Sequence, residues 1–247
     1  MQETNMTAER IFKYCKFDIE YGNSVGFISG TKSLTYDFKT QQSEYEKNLL
    51  GKLDKTRIKV KDRVQSNFEG IHRSTDFIAL DDSLLFDLVS RFVVWSSLPC
   101  AKINSNLYTH ESKNLYYQFD VEENSTIEID VSEGQLIFKP VKILPPKGFK
   151  QVIYIRDEQQ DEGLYKWVVH HRLIFDEHQS NMILRCCHPR FEGVVVAQNY
   201  MPKFIKRKFY RIRETKYPNC PLMAVGESTL KKNQVVSLKT RIVFEND

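Results

Sequence analysis

Between Leu115 and Val141 the chain repeats one pattern three times: a short run alternating apolar and polar side chains, then a polar turn. The runs are Leu115 to Val121, Thr126 to Val131 and Gln135 to Val141. Glu122-Glu123-Asn124 and Ser132-Glu133-Gly134 separate them. A period of two sends successive side chains to opposite faces of an extended chain, and turns this short leave no room for helices between the runs. The stretch predicts an antiparallel meander. Composition points the same way. Aromatic residues make up 12% of the chain, with Phe 16 and Tyr 12, and aromatic side chains favour pleated surfaces.

The N-terminal part reads as mixed. Thr7 is a candidate N-cap for a short helix bearing Ile11, Phe12, Tyr14 and Cys15. Strand-like runs follow at Phe17 to Tyr21, Val25 to Ser29 and Leu34 to Phe38, with turns at Gly22-Asn23-Ser24 and Gly30-Thr31-Lys32. Tyr45, Leu49 and Leu53, four apart, predict a helix over 41–53. From Thr56 to Val64, Ile58, Val60 and Val64 alternate with Arg57, Lys59, Lys61 and Arg63. Leu84, Leu85, Leu88, Phe92 and Trp95 form an apolar stripe that predicts a further helix over 82–95, capped by Asp81, Asp82 or Ser83. Beyond the meander, strands are expected at 151–155, 164–175, 181–187, 193–197, 222–225 and 235–244. The predicted fold class is α+β and strand-dominated. An N-terminal αβββαβ-like unit (1–98) precedes a largely antiparallel β meander or sandwich (99–247), as two regions or one continuous domain. Pro145-Pro146-Lys147-Gly148 is the clearest break.

With 247 residues, 41% hydrophobic and 28% charged, the composition is globular. No run of about 18 apolar residues exists, so no membrane span is expected. Met1 to Arg10 has acids and no apolar run, so no secretory leader is expected. Five cysteines, an odd number, fit reduced thiols in an intracellular protein, cytoplasmic or nuclear.

Charge is segregated. Residues 202–216 carry Lys203, Lys206, Arg207, Lys208, Arg211, Arg213 and Lys216 against the single acid Glu214, a net +6. The whole chain is +4, so the remainder is −2. Phe204, Phe209 and Tyr210 are interleaved with the cations. Cations displace the counterions of a phosphate backbone and rings stack on bases, so this segment is a candidate nucleic-acid face. Lys55, Arg57, Lys59, Lys61 and Arg63 could extend it.

Two constellations carry candidate chemistry. Asp18 and Glu20 with Asp37-Phe38-Lys39 supply carboxylates for Mg²⁺ and a lysine beside the reacting water. Asp37-x-Lys39 resembles the second half of the PD-(D/E)xK nuclease motif, although no Pro precedes Asp18. His170-His171, His178, Asn181, Cys186-Cys187 and His188 form a histidine-cysteine cluster. His171, Cys186 and His188 are its candidate Zn²⁺ ligands. The order His171, Asn181, His188 faintly resembles an HNH nuclease, without the Cys-x-x-Cys partners. The favoured reading of the same residues is a hairpin, with a strand at 164–175, a turn at His178-Gln179-Ser180-Asn181 and a return strand, in which His170 and His171 face opposite sides. No Gly-x-Ser-x-Gly elbow, Walker loop or dinucleotide glycine motif is present.

The sequence thus predicts a non-catalytic intracellular binding or scaffold subunit of a larger complex. Its expected partners are other protein subunits and nucleic acid, DNA or RNA, with no cofactor, no membrane and no small-molecule substrate. The alternative is a nuclease using Mg²⁺ or Zn²⁺.

Overall fold

The alternation from residue 57 onward becomes strand β4 (Arg57–Asn67), with Ile58, Val60 and Val64 fully buried and Arg57 and Arg63 exposed. The computed structural model describes residues 2–23, 26–29, 42–50, 57–67, 69–85, 87–96, 98–109, 116–159, 164–176, 179, 182–184, 202, 204–205 and 225–246. These include the helix α1 (Gln2–Tyr14) and three antiparallel sheets.

The six-stranded sheet runs β10 (Tyr116–Asp120), β13 (Phe149–Gln159), β14 (Tyr165–Phe175), β7 (Asp87–Ser96), β1 (Cys15–Asn23), β2 (Gly26–Ser29). The eight-stranded sheet runs β3 (Gln42–Leu50), β4, β5 (Gly70–Ala79), β17 (Val235–Glu245), β12 (Gly134–Pro140), β11 (Ile127–Val131), β8 (Cys100–Ile103), β9 (Asn106–Thr109). A small third sheet joins β15 (Met182–Leu184), β16 (Val225–Leu230) and β6 (Ser83–Leu85). Strands from both sides of residue 98 share each large sheet, since β7 pairs with β14 and β5 with β17. Among the described residues no helix is long and apolar enough to cross a membrane.

The strand-dominated, antiparallel expectation holds, and several finer expectations do not. The helix predicted over 41–53 is strand β3 across its described residues, and the helix predicted over 82–95 is β6 and β7. A spacing of four fits a strand as well as a helix, because four is a multiple of two. In β7, Leu88 and Phe92 lie on the inner face, and Val89 and Val93 on the outer face are also buried. A strand buried on both faces shows no polar alternation to reveal it. The αβββαβ unit is therefore not formed as predicted; the strand expected at 34–38 lies outside the described residues. The three-strand meander is a hairpin, β11–β12, while β10 pairs with β13 in the other sheet. Helix α1 starts before Thr7 and buries Ala8, Ile11 and Tyr14.

The two large sheets pack face to face. Phe17, Phe92, Ile153 and Val169 of the six-stranded sheet share one core with Val64, Ile71, Leu136, Phe138 and Ile242 of the eight-stranded sheet. At roughly 2 kcal/mol per fully buried large apolar side chain, this layer is the main source of stability. A charged pair sits within it. Asp62 occupies the inward position between Val60 and Val64, opposite Thr75 of β5, and Arg73 lies diagonally from it on β5, opposite Val64; both side chains are fully buried. The Arg73 fork donates from Nε and Nη2 to the Asp62 carboxylate (3.1 and 2.8 Å), and Thr75 Oγ1 donates to the same carboxylate (2.7 Å). Its guanidinium also lies 5.1 and 4.9 Å from the Phe17 and Phe92 ring centres. A buried pair this well bonded is neutral to fold with and costly to break, about 3–5 kcal/mol on loss of one partner.

His171 is a further buried polar group between the sheets. Its Nε2 accepts from Gln151 Nε2 (2.7 Å), which also donates to Val141 O, so Nδ1 carries the proton and donates to Thr240 Oγ1 (2.9 Å). Burial, with Arg73 nearby, lowers its pKa to about 3. The unfolded chain takes this proton near pH 6.5 and the folded chain refuses it, so stability is complete above that pH and falls below it. We expect the wild type to lose about 2 kcal/mol relative to His171→Gln between pH 6.5 and pH 5, from urea unfolding at each pH. A gap between the two proteins that does not change with pH would contradict the buried neutral histidine.

Candidate active site

Because Phe17 and Ile19 of β1 point into the sandwich, Asp18 and Glu20 must point to the opposite face of the six-stranded sheet. Strand register then decides their neighbours. Asp18 is opposite Arg91, Arg91 opposite His170, His170 opposite Tyr154, and Tyr154 opposite Gln118. One polar row thus crosses five strands. One step along, Glu20 and Arg172 both lie opposite Val89, and Asp87 is a step further on β7.

The side chains along this face interlock. Arg91 Nη1 lies 3.1 Å from Asp18 Oδ2 and 3.3 Å from Glu20 Oε1. His170 Nε2 lies 3.8 Å from Glu20 Oε2. Arg172 forks onto Asp87, with Nε 3.0 Å from Oδ1 and Nη2 on Oδ2. Its guanidinium sits 5.3 Å from the Tyr154 ring centre, and that ring is 5.1 Å from the His170 ring. Although this face points away from the eight-stranded sheet, Tyr154, Asp87, Arg172 and His170 are all buried, His170 to 7% exposure.

Burial sets the electrostatics. It raises the Glu20 carboxyl, with Arg91 pulling the other way. It pushes Asp87 up to about 7 against the pull of Arg172. It holds His170 well below its ordinary value, helped by the positive charge of Arg172, Arg91 and Arg156. Among the described residues neither ring nitrogen of His170 has a hydrogen-bond partner, and Arg91 Nε has none either. A buried polar atom without a partner costs about 1–3 kcal/mol. Several such atoms beside carboxylates and histidine with shifted pKa values mark a candidate catalytic face. The chemistry available is proton transfer: a carboxyl that favours its proton beside an imidazole that favours its free base.

Of the residues singled out in the sequence, Asp18 and Glu20 are brought together here, tied to Arg91. Asp37 and Lys39 lie outside the described residues. His171 faces the interior and spends both nitrogens on Gln151 and Thr240, while Asn181, Cys186 and His188 lie outside the described residues. Among the described residues no group of three or more His, Cys, Asp or Glu could hold a metal ion. Lys203, Lys206, Arg207, Lys208, Phe209, Tyr210, Arg211, Arg213 and Lys216 lie outside the described residues; their neighbour Phe204 is 73% exposed. On β4, Arg57 pairs with Asp81 (3.1 Å) and Arg63 with Asp76, so part of that basic strip is matched within the chain. Sequence reasoning missed Arg91, Arg172, Asp87 and Tyr154. Each is a polar residue inside an otherwise apolar strand, and that interruption was the available signal.

No family model matches the chain, and no curated protein matches it. Among solved structures, two that match it in part are the following. A galactose mutarotase-like protein from Clostridium acetobutylicum superposes with a TM-score of 0.44 at 10% identity, over 94% of this chain and 79% of that one. A galactose mutarotase related enzyme from Lactobacillus acidophilus superposes with a TM-score of 0.45 at 6% identity, over 92% of this chain and 78% of that one.

Proposed function

We propose that the buried face of the six-stranded sheet binds a small, uncharged, hydroxyl-rich ligand and moves protons on it, with Glu20 as acid and His170 as base. The observation that carries this reading is His170 itself: buried, 3.8 Å from Glu20, with neither nitrogen hydrogen-bonded among the described residues. The ligand class follows from balance. Arg91 and Arg172 are each tied to carboxylates of the same face, which leaves little free charge to hold a charged ligand. Interspersed donors and acceptors suit hydroxyl groups, which both give and take hydrogen bonds.

Opening a cyclic hemiacetal is a reaction such a pair performs unaided. His170 takes the proton of the anomeric hydroxyl, and the released electron pair forms the new C=O bond. The bond from that carbon to the ring oxygen breaks, and the ring oxygen takes its proton from Glu20. The resulting imidazolium and carboxylate stabilise one another, and Arg91 supports the carboxylate. Closure on either face of the carbonyl reverses both transfers.

Aldose anomer interconversion, followed by polarimetry on a panel of monosaccharides, tests this. The wild type should accelerate at least one aldose over buffer, and Glu20→Gln or His170→Phe should each lose about 10²- to 10⁴-fold of that acceleration. Acceleration equal in both variants and wild type, or none by the wild type together with no saturation-transfer NMR signal from any sugar, would reject the proposal.

A second reading keeps the basic segment. Seven cations concentrated in residues 202–216 of a chain otherwise at −2, beside an exposed Phe204, favour docking onto a polyanion within a larger assembly. Replacing Lys206, Arg207 and Lys208 by Glu should then abolish salt-sensitive retention of labelled DNA and RNA without lowering the melting temperature. Retention that survives both the replacement and high salt would remove this reading.

A further inference from the structure

Arg73 has more donors than Asp62 can absorb. While Nε and Nη2 hold the carboxylate, Nη1 donates to the carbonyl of Arg91 (2.7 Å) and Nη2 also donates to the carbonyl of Asp18 (2.7 Å). Those two residues are direct cross-strand partners on β1 and β7. Their backbones face Arg73 inside the sandwich, and their side chains meet on the far side, where Arg91 grips Asp18 and Glu20. One guanidinium from the eight-stranded sheet therefore clamps the two peptide units beneath the polar row of the six-stranded sheet.

We infer that Arg73 is a positioning residue for the acid–base pair, acting through the backbone of Asp18 and Arg91; this rests on the reading of the face given above. The Arg91 side chain sets where the Glu20 carboxyl lies, and Glu20 lies beside His170 Nε2. Releasing the Arg91 carbonyl frees β7 to shift against β1, and a shift of a few tenths of an ångström changes a proton-transfer distance that tolerates little error. Asp62 and Thr75 hold Arg73 in turn, with Thr75 Oγ1 also 3.0 Å from Ser90 Oγ on β7.

The test separates gripping from mere stability. Three variants are compared: Asp62→Leu with Arg73→Met, which replaces the pair by apolar groups of similar size; Arg73→Lys, which keeps charge but loses the fork; and Thr75→Val, which weakens the support of Asp62 but leaves both carbonyl bonds. The readouts are urea unfolding and the imidazole ¹⁵N resonances of His170, assigned by their loss in His170→Gln. The first two variants should move the His170 resonances and shift the pH at which it titrates; Thr75→Val should be destabilised with those resonances in place. On any aldose the wild type turns over, Arg73→Lys should lose roughly 10- to 100-fold in kcat with KM nearly unchanged. His170 resonances unchanged in Arg73→Lys, or moved equally in Thr75→Val, would make Arg73 purely structural and overturn the inference. If the double variant does not fold, Arg73→Lys against Thr75→Val decides the matter alone. The His170 readout needs no ligand, so a failure to find a substrate sinks the proposed activity and leaves this test standing.

Discussion

One buried ion pair, Asp62 with Arg73, ties the two large sheets together beneath the polar face. Two antiparallel sheets stacked through apolar side chains alone can slide, since methyl and phenyl groups pack without strong direction. A forked guanidinium has direction. It reads the Asp62 carboxylate in its own sheet and two carbonyls in the other, and it lies against Phe17 and Phe92 on the way. The desolvation of both charges is offset by hydrogen bonds that exist in a single relative placement of the sheets. Register, and with it the far face, follows from that placement.

On that far face, burial acts on Glu20 and His170 in the direction that suits proton exchange. It favours the protonated carboxyl of Glu20 and the free base of His170, in each case against the charged form that water stabilises. Arg91 moderates the first effect and the surrounding arginines deepen the second. The Arg172–Asp87 pair at one side supplies a polar wall rather than a surplus of charge. Outward and inward networks share residues but not side chains: Asp18 and Arg91 give carbonyls to one and charged groups to the other.

Much of this was legible in the chain, and the failures have clear causes. Ile58, Val60 and Val64 announced β4 because only one face of it is apolar. That His170 and His171 face opposite sides of a strand followed from the pleat, and so did the placing of Asp18 and Glu20 on one face; the hairpin expected around them is not formed, since β14 pairs with β13 and β7 and β15 with β16. Leu84 to Trp95 misled because apolar spacing of four serves both periods, and because β7 lies in mid-sheet with both faces covered. Arg91, Arg172 and Tyr154 could not be grouped with Glu20, since strands 70 to 150 residues apart are joined only by tertiary pairing. Yet Asp62 between Val60 and Val64, and Arg73 between Ile71 and Thr75, stood in inward registers in plain view. A charge in an apolar register is a request for a buried partner, and here the two requests answer each other.

The protonation of the His170 ring is read directly by long-range ¹H–¹⁵N NMR of the wild-type imidazoles between pH 5 and pH 8. His170 should show the pattern of a neutral imidazole across the whole range. An imidazolium pattern at pH 5, with a midpoint near the ordinary 6.5, would mean that the ring is solvated and free of Glu20 and its arginines, and the buried acid–base face would not exist.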